Sequence, residues 1–357
     1  MLGIMFKPLK RSLLLVPLLL LAGCNTIVMN PKGDIASQQA DLIVLSTVLM
    51  LIIIVPVIFL TCFFAWKYRQ ANTQAEYDPE WDHSTKLELV IWGAPLLIII
   101  VLGLVTWVST HKLDPYRPLD RIDASTPLPA DHEPLVVQVV SLDWKWLFIY
   151  PEQGIATVNE LVTPVNVPVR FKITSSTVMN SFYIPALAGQ IYSMAGMETT
   201  LNAVINEKGS WEGFSANYSG AGFSHMRFRF HALSDQGFDR WIAEARAGGK
   251  ALSRAEYLQL EVPSAREPSR LYASVDPGLF DAVVNRCVDT DRLCMDQMMA
   301  YDAMGGRGLD SADPLQRPRR GNLAAGPFVR SDICTVETAQ AATLTSPVPT
   351  AGGLKAP

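Results

Sequence analysis

The sequence predicts a membrane-anchored α+β protein: an N-terminal two-helix transmembrane hairpin followed by an all-β domain. Three observations carry this. Two apolar runs, Leu42–Trp66 and Leu89–Val108, are each long enough to cross about 30 Å of hydrocarbon as a helix. Beyond residue 133 the chain changes to short β-branched and aromatic segments broken by turn residues, the pattern of a sandwich or barrel. The composition leans towards the membrane, with 49% hydrophobic and 18% charged residues in a chain of 357 and a mean hydropathy of +0.18. A net charge of -4 gives nucleic-acid binding no electrostatic support.

The chain opens with Lys7, Lys10 and Arg11 ahead of Leu13–Leu21, an apolar run too short for a comfortable span. Leu21-Ala22-Gly23-Cys24 follows and resembles a bacterial lipobox. The expectation is a lipoprotein signal peptide over residues 1–23, with the thiol of Cys24 acylated. A plain signal peptide and a buried free cysteine are the alternatives. A lipid chain adds about 0.8 kcal/mol per buried CH₂. Exporting Cys24 places residues 24–40 outside a bacterial inner membrane. In the hairpin, residues 41–110, the polar turn Gln70–Lys86 then lies in the cytoplasm, and everything after residue 110 lies in the periplasm. Setting Lys67, Arg69 and Lys86 against Lys112, Arg117 and Arg121 does not decide the orientation.

Pro56 and Pro95 lie inside the two runs, which membrane helices tolerate where neighbours cover the broken hydrogen bond. Trp66, Tyr68, Trp92 and Trp107 mark the interfaces. Cys62, within the first span, reads as a small buried hydrophobe. Both runs are apolar all round and require lipid or partner helices. Glu88 stands at the mouth of the second span beside Lys86. Taken alone it reads as a solvated carboxylate favoured by the helix N-terminus.

Residues 111–132, with Pro115, Pro118, Pro127 and Pro129, read as a linker. The β domain is expected over 133–248, with strands near 135–140, 144–150, 158–161, 169–174, 182–185, 190–194, 199–205 and 226–231. Trp144 and Trp146 alternate with Lys145 and so share one sheet face, expected to be a partly buried aromatic surface against a partner. Tyr150, Phe182 and Tyr183 are read the same way. Short helices are expected near 239–247 and 254–260, and 249–300 forms a C-terminal arm. Residues 301–357, rich in Gly, Pro, Ala, Ser and Thr, are expected to be disordered, and Cys334 among them is unexplained. The five cysteines form no zinc pattern. Cys287 and Cys294 are a disulfide candidate in a compartment that permits one, although spacing alone does not compel it. His225 and His231 lack further ligands at metal spacing and read as surface or hydrogen-bonded histidines. Met295, Met298, Met299 and Met304 read as adaptable packing rather than a Cu(I) site.

Phe214–Met226, FSANYSGAGFSHM, organises the functional reading. It resembles the two-copper loop of cytochrome c oxidase subunits II, of pattern C-x-E-x-C-x-x-x-H-x-x-M. Ser215 and Ser219 stand at the cysteine positions, Asn217 at the glutamate, Phe223 at the histidine and Met226 at the methionine. Upstream, Val178-Met179-Asn180-Ser181-Phe182 resembles V-M-H-S-F, with Asn180 in place of the histidine. Copper there requires thiolate and imidazole, and one thioether among hydroxyls and amides does not hold it.

With the run Asp143–Glu160, DWKWLFIYPEQGIATVNE, the two spans and the lipobox, the chain resembles subunit II of the cytochrome bo-type ubiquinol oxidases. The resemblance covers residues 10–285 or so. It implies a cupredoxin-like Greek-key domain with no metal or other cofactor on this chain. It implies a non-catalytic subunit of a proton-translocating oxidase whose haem and copper sit on subunit I, with subunits III and IV as further partners. Ubiquinol is then met through the complex, and no docking site for cytochrome c is needed. In such oxidases a carboxylate at the position of Glu88 lies at the cytoplasmic mouth of a proton path through subunit I, and the C-terminal arm packs on the outer face of the complex. The rival readings are a cytochrome c oxidase subunit II and a freestanding envelope lipoprotein with a cupredoxin-like binding domain.

Overall fold

The computed structural model describes residues 26–303 apart from 77, 79 and 130. The signal segment with Cys24, and residues 304–357 of the tail expected to be disordered, with Met304 and Cys334, lie outside the described residues, while residues 301–303 are helical rather than disordered.

Helix α1 (Asp34–Lys67) and helix α2 (Thr85–Lys112) form the hairpin and run unbroken through Pro56 and Pro95. Both are long and apolar enough to cross a membrane. At about 1.5 Å per residue the 34 residues of α1 span roughly 50 Å, more than the roughly 30 Å of hydrocarbon. The surplus is at the N-terminal end, where α1 starts well before Leu42. Asp34, Ala36 and Ala40 are buried there, against the β domain. Ile98 is the one buried side chain on α2. Cys62 is exposed on α1 rather than buried, because among the described residues nothing packs over it.

The junction between hairpin and β domain is closely built. A Cβ on Gly33 would lie 2.5 Å from the Val204 carbonyl oxygen and 2.8 Å from that of Leu187, so only glycine lets the backbone pass. The Lys32 and Gly33 amides donate to the Ala186 carbonyl at 2.9 and 3.0 Å. The Asp34 carboxylate accepts from Gln38 Nε2 at 2.8 Å and from Arg121 Nε at 2.9 Å. Arg121 belongs to the segment read as a linker, which is fastened to the domain. Asn202 Nδ2 donates to the Pro115 carbonyl at 3.1 Å, and Asn206 Nδ2 to that of Ile122 at 2.9 Å.

Among the described residues twelve strands make two sheets. They are β1 (Leu135–Leu142), β2 (Lys145–Tyr150), β3 (Ile155–Val158), β4 (Glu160–Pro164), β5 (Val169–Ser175), β6 (Asn180–Tyr183), β7 (Ile191–Ser193), β8 (Thr199–Ala203), β9 (Gly209–Ser215), β10 (Arg227–Leu233), β11 (Lys250–Leu252) and β12 (Arg270–Val275). The larger sheet has the order β11-β12-β3-β2-β1-β5-β8 and the smaller β4-β10-β9-β6-β7. The sheets sandwich an aromatic core: Trp146 and Phe148 face Phe182 and Phe228, whose rings stack 5.5 Å apart.

Strand β2 is buried at every position, which simple alternation does not anticipate. Trp146, Phe148 and Tyr150 point into the sandwich, while Leu147 and Ile149 point out the other side. That outer face is covered by residues 249–300. There, helices α4 (Arg254–Glu261), α5 (Leu279–Val284) and α6 (Met295–Ala303) follow α3 (Asp235–Gly248) of the β domain. The segment also adds β11 and β12 to the sheet edge through β3. A second apolar cluster results, in which Tyr257, Leu260, Phe280 and Val283 pack on Val140, Leu147 and Val158. The aromatic face predicted to meet a partner is therefore corrected: Trp146, Tyr150 and Phe182 are interior, at 0% exposure. Cys287 and Cys294 form a disulfide with Cα atoms 4.8 Å apart. Met295 packs against Gly196.

Candidate functional site

The loop that resembles a copper site joins β9 to β10. Strand β6 pairs with β9 in the register Phe182 to Ser215 and Tyr183 to Phe214, which brings Asn180 level with the first loop residues. Asn180, Ser215 and Asn217 thus converge from two elements, and they bond to one another or to backbone. The Ser215 hydroxyl donates towards Asn180 Oδ1 at 3.0 Å, with the Asn217 carbonyl at 3.1 Å. It also accepts from the Ser181 amide at 3.4 Å. Asn180 Nδ2 donates to the Val178 carbonyl at 3.3 Å, and Asn217 Nδ2 to that of Met179 at 3.2 Å.

The other half of the loop closes on itself. Ser219 Oγ lies 3.9 Å from the sulfur of Met226, which is fully buried. Phe223 packs its ring against the exposed Tyr218, 5.6 Å away. All six positions are therefore brought into one loop and its flanking strand ends. What they offer are hydroxyls and side-chain amides, each engaged in hydrogen bonds through its oxygen or its nitrogen, together with a single thioether. That set does not fit a two-copper centre, which takes its charge from thiolates and its remaining bonds from imidazoles. Among the described residues no three His, Cys, Asp or Glu side chains are grouped to hold a metal. His225 is exposed, with Nε2 3.0 Å from a guanidinium nitrogen of Arg266.

Trp144 carries the loop. Its indole N–H donates to the Ser219 carbonyl at 2.8 Å. Its ring lies so close that a Cβ on Gly222 would be 2.3 Å from it. Behind Trp144, the fully buried Lys145 donates to the carbonyls of Val262 at 2.8 Å and Asp143 at 3.2 Å and to Ser264 Oγ at 2.6 Å. Burial pushes this amine down from its usual value, and the charges of Glu267 and Asp143 work against the shift. Lys145 thereby ties the start of β2, next to Trp144, to the C-terminal arm. A lysine between two tryptophans in a strand is visible in the sequence, but the three carbonyl and hydroxyl oxygens it serves are not.

Glu88 lies at the far end of the hairpin from the β domain, in the first turn of α2 after Ser84. Its Oε1 is 2.8 Å from His83 Nδ1. Lys86, the expected neighbour, makes no ion pair among the described residues, and His83 was not singled out from the sequence.

A sandwich domain of this order, carried by two apolar helices, defines a class, and comparison with known proteins agrees. Residues 151–233 match the profile of the cytochrome c oxidase subunit II periplasmic domain, and residues 246–291 match the COX aromatic rich motif. The chain is 52% identical over 269 residues to the cytochrome bo(3) ubiquinol oxidase subunit 2 of Pseudomonas putida, covering 75% of this chain and 83% of that one. It is 53% identical over 276 residues to the Pseudomonas aeruginosa protein of the same name, covering 77% and 81%. Among solved structures, the periplasmic domain of subunit II of cytochrome oxidase from Bradyrhizobium japonicum aligns with a TM-score of 0.31 at 22% identity, over 34% of this chain and 96% of that one. The chain belongs to the ubiquinol oxidase subunit 2 family, cytochrome bo(3) type.

Proposed function

We propose that this chain serves as subunit II of a terminal ubiquinol oxidase in an aerobic respiratory chain, and that its own work is structural rather than redox. The oxidase oxidises ubiquinol, reduces oxygen to water and pumps protons, with haem and copper carried by subunit I. The observation that supports a copper-free role is the loop itself: Asn180, Ser215, Asn217, Ser219 and Phe223 offer neither thiolate nor imidazole. Ubiquinol is a lipid-phase donor that reaches subunit I directly, so neither a copper relay nor a docking site for cytochrome c is needed.

In this reading α1 and α2 clamp subunit I through their exposed apolar faces, and the β domain caps the periplasmic side. Subunits III and IV complete the assembly, and a lipidated Cys24 pins the mature N-terminus to the outer leaflet. Glu88 gathers protons at the cytoplasmic mouth of the path through subunit I. The test is purification through a tag on this chain in mild detergent. A haem-containing large subunit and ubiquinol oxidation are expected to co-purify, and the chain expressed alone is expected to be colourless and free of stoichiometric copper. A purple, redox-active spectrum from the isolated chain would overturn the copper-free role, and purification without haem would overturn the assembly.

A further inference from the structure

The turn between the membrane helices carries a pair of titratable groups that the fold does not need for packing. His83 and Glu88 are 61% and 50% exposed, and an ion pair so open to water contributes little to stability. Yet its geometry is defined on both sides of the ring. Nδ1 lies 2.8 Å from Glu88 Oε1, and Nε2 lies 3.0 Å from Thr85 Oγ1. Helix α2 supplies both Thr85 and Glu88, so its first turn holds the ring from two positions.

The remaining charges of this region are engaged elsewhere or stand apart. Lys67 lies over the rings of Phe63 and Tyr68, at 5.9 and 5.2 Å, and Arg69 over that of Trp66 at 5.3 Å. Asp78, Glu80, Asp82 and Lys86 make no ion pair with either group among the described residues. Among the described residues Glu88 therefore has one titratable side-chain partner, the imidazole.

We infer that His83 is a positioning and relay residue that loads Glu88 with protons from the aqueous side. The inference rests on the reading of Glu88 as the proton entry given above. In the imidazolium form both ring nitrogens donate, Nε2–H to Thr85 Oγ1 and Nδ1–H to the Glu88 carboxylate. Two lone pairs do not sit that close without a proton between them, so the pair holds one in the N···O contact. The transfer is a simple exchange. Imidazolium and carboxylate become imidazole and carboxylic acid as the Nδ1–H bond breaks and an Oε1–H bond forms. Glu88 passes the proton inward and returns to carboxylate, and the ring takes its next proton from water. Direct delivery to Glu88 from bulk water slows as the proton concentration falls, so a second proton carrier beside it matters most on the alkaline side.

The test uses the whole oxidase in vesicles, with turnover and proton uptake measured against pH for wild type, H83Q, E88Q and the H83Q/E88Q double variant. H83A is assayed with and without added imidazole. The expected result is a several-fold loss of turnover in H83Q confined to the alkaline side, with haem content and acid-side turnover retained. The double variant should be no slower than E88Q, and imidazole should restore H83A. If E88Q is slow and H83Q keeps the wild-type pH profile, the relay is overturned while the reading of Glu88 stands. If neither variant is slow, the reading of Glu88 fails and the relay with it. A loss in H83Q equal at every pH, with H83A not rescued by imidazole, marks a purely structural role and also overturns the relay.

Discussion

Lys145 has three oxygen acceptors and no exposed surface to retreat to. Lys145→Met keeps most of the volume and removes all three donors, and is expected to cost about 2 kcal/mol through the acceptors left unpaired. A lowered thermal midpoint of the full chain in detergent checks it, as does faster hydrogen exchange at 262–264. Glu261, close by on α4, gives the arm a pH dependence. Burial pushes its carboxyl above the usual 4.5, opposed by Arg292 and Arg286. The folded state then holds this proton more tightly than the unfolded chain does. The resulting stability is fully present below pH 4.5 and is lost as pH rises through the folded value. Glu261→Gln is expected to flatten the fall in melting temperature above that pH, and a pH series of melts of both proteins decides it. Trp144→Ala removes the support beneath Gly222 and the bond to Ser219, at about 2 kcal/mol. Protease cleavage within 216–226 should rise while the β-sheet circular dichroism stays.

Among the elements, the first turn of α1 joins membrane and domain. Asp34 is 7% exposed, and its partners Arg121 and Gln38 come from the linker and from α1 itself. The Asp34 carboxylate holds the Arg121 guanidinium still higher than its usual value, though burial opposes this. Removing one member leaves the other charge poorly solvated. Asp34→Ala and Arg121→Ala are each expected to cost about 3 kcal/mol, with the double variant costing clearly less than the sum. Melts of the four proteins make the cycle. This is also where the sequence could be read only in part. Leu42–Trp66 announces a span by hydropathy, but Asp34–Asp41 mixes polar and small residues because it packs on the domain instead of lipid. Strand β9 is hidden in the sequence because Gly209, Ser210 and Gly213 mimic a turn, and β3 and β4 read as one strand because only a left-handed Asn159, φ 56°, separates them.

At the scale of the molecule, the order hairpin, linker, sandwich and arm is legible from the alternation of long apolar runs with short branched ones. The closing of the arm onto β2 is not, because burial of both faces of a strand looks in sequence like any apolar run. The six loop positions were legible from their spacing, whereas the partners that now engage them depend on strand register. The start of α1 inside the domain has a mechanical meaning. There is no slack joint at the membrane surface: the helix is a shaft keyed into the sandwich at Gly33. Each residue inserted after Ala40 would turn the shaft by about 100° and lengthen it by about 1.5 Å. A single-residue insertion there should leave both halves folded yet abolish incorporation of the chain into the oxidase. Inserting four residues, close to one full turn, should restore part of it.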